Sequence, residues 1–139
     1  EMCIRDRMSD IPVTEGVFLV VKPEFGCPTG EAYRKYDESP LEIHGGLERF
    51  TAGLPGNYAP EMYNVFQRLY SDKRIEDICA RLTALGAKGA MLTGSGSAVF
   101  GVFDNEANAK RASGEFPGCF TAVSGCVREG VSITEREVL

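Results

Sequence analysis

The chain has 139 residues, 43% of them hydrophobic and 25% charged, enough to sustain one hydrophobic core, with the average composition of a folded domain. Twenty acidic against fifteen basic side chains leave a net charge of -5, the wrong sign for a protein that attracts a phosphate backbone, and no apolar run approaches the ~20 residues of a bilayer span. Nucleic acid and membrane partners are therefore not expected, and the N-terminus lacks the apolar centre of a secretory signal.

The five cysteines, Cys3, Cys27, Cys79, Cys119 and Cys126, are odd in number, contain no C-x-x-C pair and have only His44 to join them. Reduced thiols in a cytoplasmic protein, and no metal site, are the expectation.

In chain order, Glu1 to Arg7 mix charge and sulfur without a period and precede Met8. Residues 1–12 are read as an appendage and residues 13–139 as a single domain. Gly16 to Val21 is apolar and β-branched and is halted by Lys22-Pro23, which predicts a buried strand. Pro28 with Glu31, Ala32, Tyr33 and Arg34 suits the first turn of a helix, and Asp37 to Pro40 closes it. Across residues 41–60, His44-Gly45-Gly46 and Leu54-Pro55-Gly56 interrupt a partly helical spacing of Leu47, Phe50 and Leu54, giving a short helix and a loop. His44 has no partner visible in the sequence and is read as a loop histidine.

From Pro60 the residues Met62, Tyr63, Val65, Phe66, Leu69 and Tyr70 recur at helical intervals, which predicts one continuous helix. Ser71-Asp72 restarts the chain, and Ile75, Ile78, Cys79, Leu82 and Leu85 form a stripe ended by Gly86, the pattern of an amphipathic helix with a glycine C-cap. Gly89 to Leu92 and Ala98 to Phe103 read as two strands joined by Thr93-Gly94-Ser95-Gly96-Ser97. Asp104 or Asn105 can cap a helix running to about Ser113, and Phe120 to Val123 reads as a last core strand. Val131 and Ile133 in the tail can add an edge strand. The whole is an α+β sandwich, an antiparallel-rich sheet with helices packed on one face.

The stretch richest in chemical possibility is Gly94, Ser95, Gly96 and Ser97. Two glycines permit positive φ and remove bulk, so successive backbone N–H groups can converge on an anion while the serines add donors. No Gly-Lys-Ser/Thr follows, so this is not a phosphate-binding P-loop, and by itself it reads first as a tight strand connection. Lys22 can reach a phosphate or simply be solvated. Thr29 is either a cleft hydroxyl or a helix-capping one.

Leu85-Gly86-Ala87 followed by Gly89 to Phe103 resembles the C-terminal motif of the GHMP kinases. Lys22-Pro23, Gly26, Pro28-Thr29 and Ala32-Tyr33, with Met62-Tyr63-Asn64-Val65-Phe66, narrow the resemblance to the kinases of 4-diphosphocytidyl-2-C-methyl-D-erythritol. Pro28 stands where that family usually has Ser, and Val65 and Gln67 stand at positions that are more often acidic. The resemblance covers about Val13 to Val123.

It implies a ferredoxin-like GHMP-kinase C-terminal fold and ATP-dependent phosphoryl transfer to a hydroxyl of the methylerythritol unit, in non-mevalonate isoprenoid precursor synthesis. It further implies that Gly94, Ser95, Gly96 and Ser97 support the nucleotide site and that Thr29, Lys22 and Asn64 lie at the substrate cleft. ATP and Mg²⁺ would need an N-terminal domain carrying a Pro-x-x-x-Gly-Leu-Gly-Ser-Ser loop and the catalytic Lys and Asp. None of these has a counterpart here, so the expectation is a C-terminal half with no catalytic residue of its own, inactive in isolation. The competing expectations are a stand-alone binding module of the same fold, or the corresponding half of a homoserine or mevalonate kinase.

Overall fold

The computed structural model describes residues 16–38, 46–54 and 56–127. The appendage, His44 and the tail strand through Val131 and Ile133 lie outside them.

Four strands, β1 (Val17–Lys22), β2 (Gly89–Leu92), β3 (Val99–Phe103) and β4 (Phe120–Gly125), and five helices, α1 (Thr29–Glu38), α2 (Leu47–Gly53), α3 (Val65–Tyr70), α4 (Lys73–Ala84) and α5 (Glu106–Ser113), follow the predicted segments with the exception of α3. The strands form one antiparallel sheet in the order β2-β3-β1-β4. Thus β1 and β2 run parallel with β3 between them, as do β3 and β4 around β1. Two interlocked split βαβ units of this kind make the sheet of a ferredoxin-like sandwich.

Alternation along the strands sorts the side chains. Leu19 and Val21 of β1, Leu92 of β2 and Val99 and Phe103 of β3 are sealed from solvent and meet Ile75 and Leu82 of α4, Ala109 and Ala112 of α5, and Phe116. Small residues set the spacing between these layers. A Cβ added to Gly101 would lie 3.2 Å from both Leu82 Cδ2 and Ala87 Cβ. On the opposite face Tyr58 and the short 3-10 turn Ala59–Glu61 pack against one end of the sheet. There Gly89 leaves room for Ala59, its added Cβ being 3.0 Å from that methyl carbon.

The caps explain where helices begin. Asn105 Oδ1 accepts from Asn108 N at 2.9 Å and starts α5. Asp72 Oδ1 accepts from Arg74 N at 2.9 Å and starts α4, whose other end turns through Gly86 at φ +100. Both ends of α4 match the sequence reading.

The continuous helix predicted from Pro60 to Tyr70 is instead two pieces. The 3-10 turn ends at Glu61, Met62 turns extended, and Asn64 adopts φ -133 and caps the six-residue α3. Apolar periodicity runs straight through the break, but Asn64 gains more by folding its side chain onto Phe66 N and Gln67 N than by continuing a helix.

Asp72 also carries a pH dependence. The Arg74 guanidinium, bonded to both carboxylate oxygens at 3.0 and 2.7 Å, holds its pKa below the ordinary aspartate value. A pKa lowered by folding means stability that is present above the unfolded value of ~4 and is lost as the pH falls through the lower folded value. Asp72→Asn retains a cap acceptor but not the ion pair. The stability difference between wild type and this variant, from urea titrations, is expected to be constant from pH 5 to 8 and to shrink below about pH 4.

Candidate functional site

The Thr93–Ser97 turn between β2 and β3 is the place where separate segments of the chain converge. Thr93 N donates to Ala98 O at 2.9 Å, closing the turn, and Gly96 N donates to Thr93 O at 3.1 Å within it. Gly94 and Gly96 take φ +56 and +90, values that glycine alone adopts cheaply. At Gly96 there is also no room for more, since an added Cβ would lie 3.0 Å from both Cys27 Sγ and Leu92 Cδ1.

Three sets of hydrogen bonds hold the turn to the rest of the chain. Thr29 and Ser95 share a hydroxyl–hydroxyl hydrogen bond of 2.9 Å, joining the start of α1 to a residue 66 positions away. Ser97, buried, donates its hydroxyl to Phe25 O, fastening the turn to the loop after β1. Asn64 Nδ2 donates to Leu92 O at 2.8 Å and to Gly94 O at 2.9 Å. The structure therefore places Thr29, Asn64 and residues 94–97 together.

Lys22 stands at the base of the same loop, but its ammonium is turned inward, donating to Pro23 O at 2.7 Å and Phe25 O at 3.2 Å. The Phe25 ring beneath is covered by the Arg74 guanidinium, 3.8 Å from its centroid, a cation–π contact that ties α4 to the loop. Pro28, in place of a serine, contributes only its carbonyl, and that carbonyl is fully used. It accepts from Glu31 N and Ala32 N, which start α1, and from Tyr70 OH at 2.9 Å. Burial lifts the Tyr70 phenol above its ordinary pKa, so it remains a donor at neutral pH.

Gln67 is the residue that sequence reasoning undervalued. Its Oε1 accepts from Leu92 N at 2.8 Å and its Nε2 reaches Cys79 Sγ at 3.8 Å. The available signal was its position three residues after Asn64, which puts both amides on one side of a short helix. Burial pushes the Cys79 thiol up to about 11, so it is a packed, protonated group rather than a nucleophile.

Two hollows flank the turn. One is apolar, lined by Phe18, Val20, Phe100 and Thr93 on the open side of the sheet. The other is polar, lies between α3 and the β2 edge, and includes Asn64, Gln67 and Arg68. Among the described residues no cluster of metal-ligating side chains converges, and no helix is long and apolar enough to cross a membrane. What the site does offer is neutral: short hydroxyls and backbone N–H groups, the chemistry that receives phosphate oxygens.

The family model "GHMP kinases C terminal" matches residues 43–121, more than half of the chain and including this turn. The chain belongs to the GHMP kinases. This GHMP kinase chain is 34% identical over 113 residues to the 4-diphosphocytidyl-2-C-methyl-D-erythritol kinase of Acetivibrio thermocellus, covering 76% of itself and 40% of that protein. It is 33% identical over 115 residues to the kinase of the same name from Clostridium novyi, covering 78% of itself and 41% of the relative. With the one from Caldanaerobacter subterraneus it shares 30% identity over 136 residues, 92% of itself and 47% of the relative. A crystal structure of 4-(cytidine 5'-diphospho)-2C-methyl-D-erythritol kinase superposes with a TM-score of 0.64 at 20% identity, over 88% of this chain and 47% of that one. The GHMP kinase chain thus has the fold of that enzyme's matching part and spans less than half the length of each of these relatives.

Proposed function

We propose that the chain is the C-terminal part of a cytoplasmic kinase that transfers the γ-phosphate of ATP to a hydroxyl of 4-diphosphocytidyl-2-C-methyl-D-erythritol, a step in non-mevalonate isoprenoid precursor synthesis. The observation that carries this reading is the 30–34% identity, over three quarters or more of the chain, to kinases bearing that name. On this reading Gly94, Ser95, Gly96 and Ser97 support the nucleotide site, and Thr29 with Asn64 anchors that support to the rest of the domain. Lys22 organises the loop that Ser97 grips.

Phosphoryl transfer is mostly positioning and charge neutralisation. The neutral hydroxyls and amides here suit the positioning share. The charged share would fall to an N-terminal kinase half, which would bring a phosphate loop, a catalytic Lys and Asp and the Mg²⁺ that would offset phosphate charge. Its partner in the cleft is a small-molecule substrate. The free thiols Cys27, Cys79, Cys119 and Cys126 suit a reducing compartment.

The test is ADP release, coupled to product detection, from the 139-residue chain alone and from the chain joined to its N-terminal half. Turnover of 4-diphosphocytidyl-2-C-methyl-D-erythritol is expected only from the joined form. Turnover by the chain alone would overturn the division of labour, and preference of the joined form for homoserine or mevalonate would overturn the substrate.

A further inference from the structure

The Asn64 side chain is spent entirely on its own chain, and the way it is spent sets the direction of a neighbouring amide. Its Oδ1 accepts from Phe66 N at 2.8 Å and Gln67 N at 3.3 Å, while its Nδ2 donates to Leu92 O and Gly94 O. One planar amide thus joins the start of α3 to the end of β2 and to the first glycine of the turn. In a trans peptide the C=O and the following N–H point in opposite directions. With Gly94 O held toward Asn64, the Ser95 N–H is directed away from α3. Gly96 N–H is already committed to Thr93 O. The Ser95 N–H has no acceptor among the described residues, and it sits on the residue whose hydroxyl is bonded to Thr29. A free, oriented backbone donor beside short hydroxyls is what an anionic phosphate oxygen requires.

We propose that Asn64 is a positioning residue for the nucleotide, fixing the Gly94–Ser95 peptide so that the Ser95 N–H is presented to a phosphate oxygen of ATP. The proposal rests on the reading that the turn serves the nucleotide site. Gln67 assists by holding Leu92 N–H at 2.8 Å, which keeps the end of β2 in place beneath the turn.

Asn64→Asp isolates this role. The carboxylate keeps the oxygen that caps α3 but replaces the donor to Leu92 O and Gly94 O with a second acceptor, so the peptide is released while the helix start survives. Asn105→Ala removes the cap of α5, away from the turn, and controls for general loosening. In the chain joined to its N-terminal half, Asn64→Asp is expected to raise KM for ATP about tenfold and to leave KM for the methylerythritol acceptor within twofold of wild type. Asn105→Ala is expected to move neither KM. An ATP KM within twofold of wild type, or both KM values rising together, would overturn the proposal.

If wild type fails to phosphorylate this acceptor, the substrate reading falls, and hydrogen exchange of the 139-residue chain decides separately whether Asn64 fixes the turn. Exchange of the Thr93 and Gly96 amides at least tenfold faster in Asn64→Asp, with α4 amides unchanged, supports it. Unchanged exchange in the turn overturns it.

Discussion

Gly96→Ala is expected to lower folding stability by about 3 kcal/mol and to remove kinase turnover from the chain joined to its N-terminal half. Two costs add. A side chain forced into the left-handed half of backbone space costs ~1–2 kcal/mol, and φ +90 at Gly96 lies outside the small basin that alanine tolerates. The new methyl would then stand 3.0 Å from Cys27 Sγ and from Leu92 Cδ1, and Leu92 is fully buried. Relieving such overpacking costs roughly another 1–3 kcal/mol. Gly94→Ala is the matched control, because Gly94 at φ +56 has nothing within 4 Å of an added Cβ. It should lose only the backbone cost, about 1 kcal/mol. Urea titration of both variants checks the contrast; equal losses would mean that Cys27 and Leu92 do not confine the turn.

Phe103→Ala is expected to destabilise the chain by about 3–5 kcal/mol, a large share of the ~5–15 kcal/mol that holds a typical domain together. Phe103 is 1% exposed at the end of β3, and its ring packs beneath Gly101, whose added Cβ would lie 3.3 Å from Phe103 Cε2. Neighbours this tightly seated cannot close over the cavity that truncation leaves. Phe120, in contrast, is 67% exposed, and Phe120→Ala should change stability by no more than ~0.5 kcal/mol. A urea midpoint for Phe103→Ala close to that of wild type would show that β3 is not the centre of the core.

Local signals were legible wherever cause and effect lie close together in the chain. The stripe from Ile75 to Leu85 with Asp72 before it and Gly86 after it specifies α4 at both ends, and of the two caps offered for α5, Asp104 and Asn105, the structure uses Asn105. Glycines 94 and 96 mark the turn correctly because positive φ is a one-residue requirement.

Failures came where a distant partner decides. Between Pro60 and Tyr70 the one local sign of a break is Asn64, an N-cap residue inside an apolar period that runs through it, and the bonds of its Nδ2 to Leu92 and Gly94 lie 28 and 30 residues away. The bond between Thr29 and Ser95 spans 66 residues, and residue patterning alone left Thr29 undecided between a cap and a cleft hydroxyl; it was family resemblance that associated the two segments. For Lys22 the residue pattern offered a phosphate contact or plain solvation. Only the curl of the loop through Pro23 and Phe25 reveals that their carbonyls claim it.

The grip on Leu92 matters beyond the turn. β2 is an outer strand, and outer strands expose rows of unpaired backbone groups on which a second chain can build. Here the Leu92 N–H is taken by Gln67 and its C=O by Asn64, two side chains occupying the places that a fifth strand would take. The amides that shape the turn thereby also blunt the sheet margin against edge-to-edge aggregation, without a proline, a charge or a bulge in β2 itself.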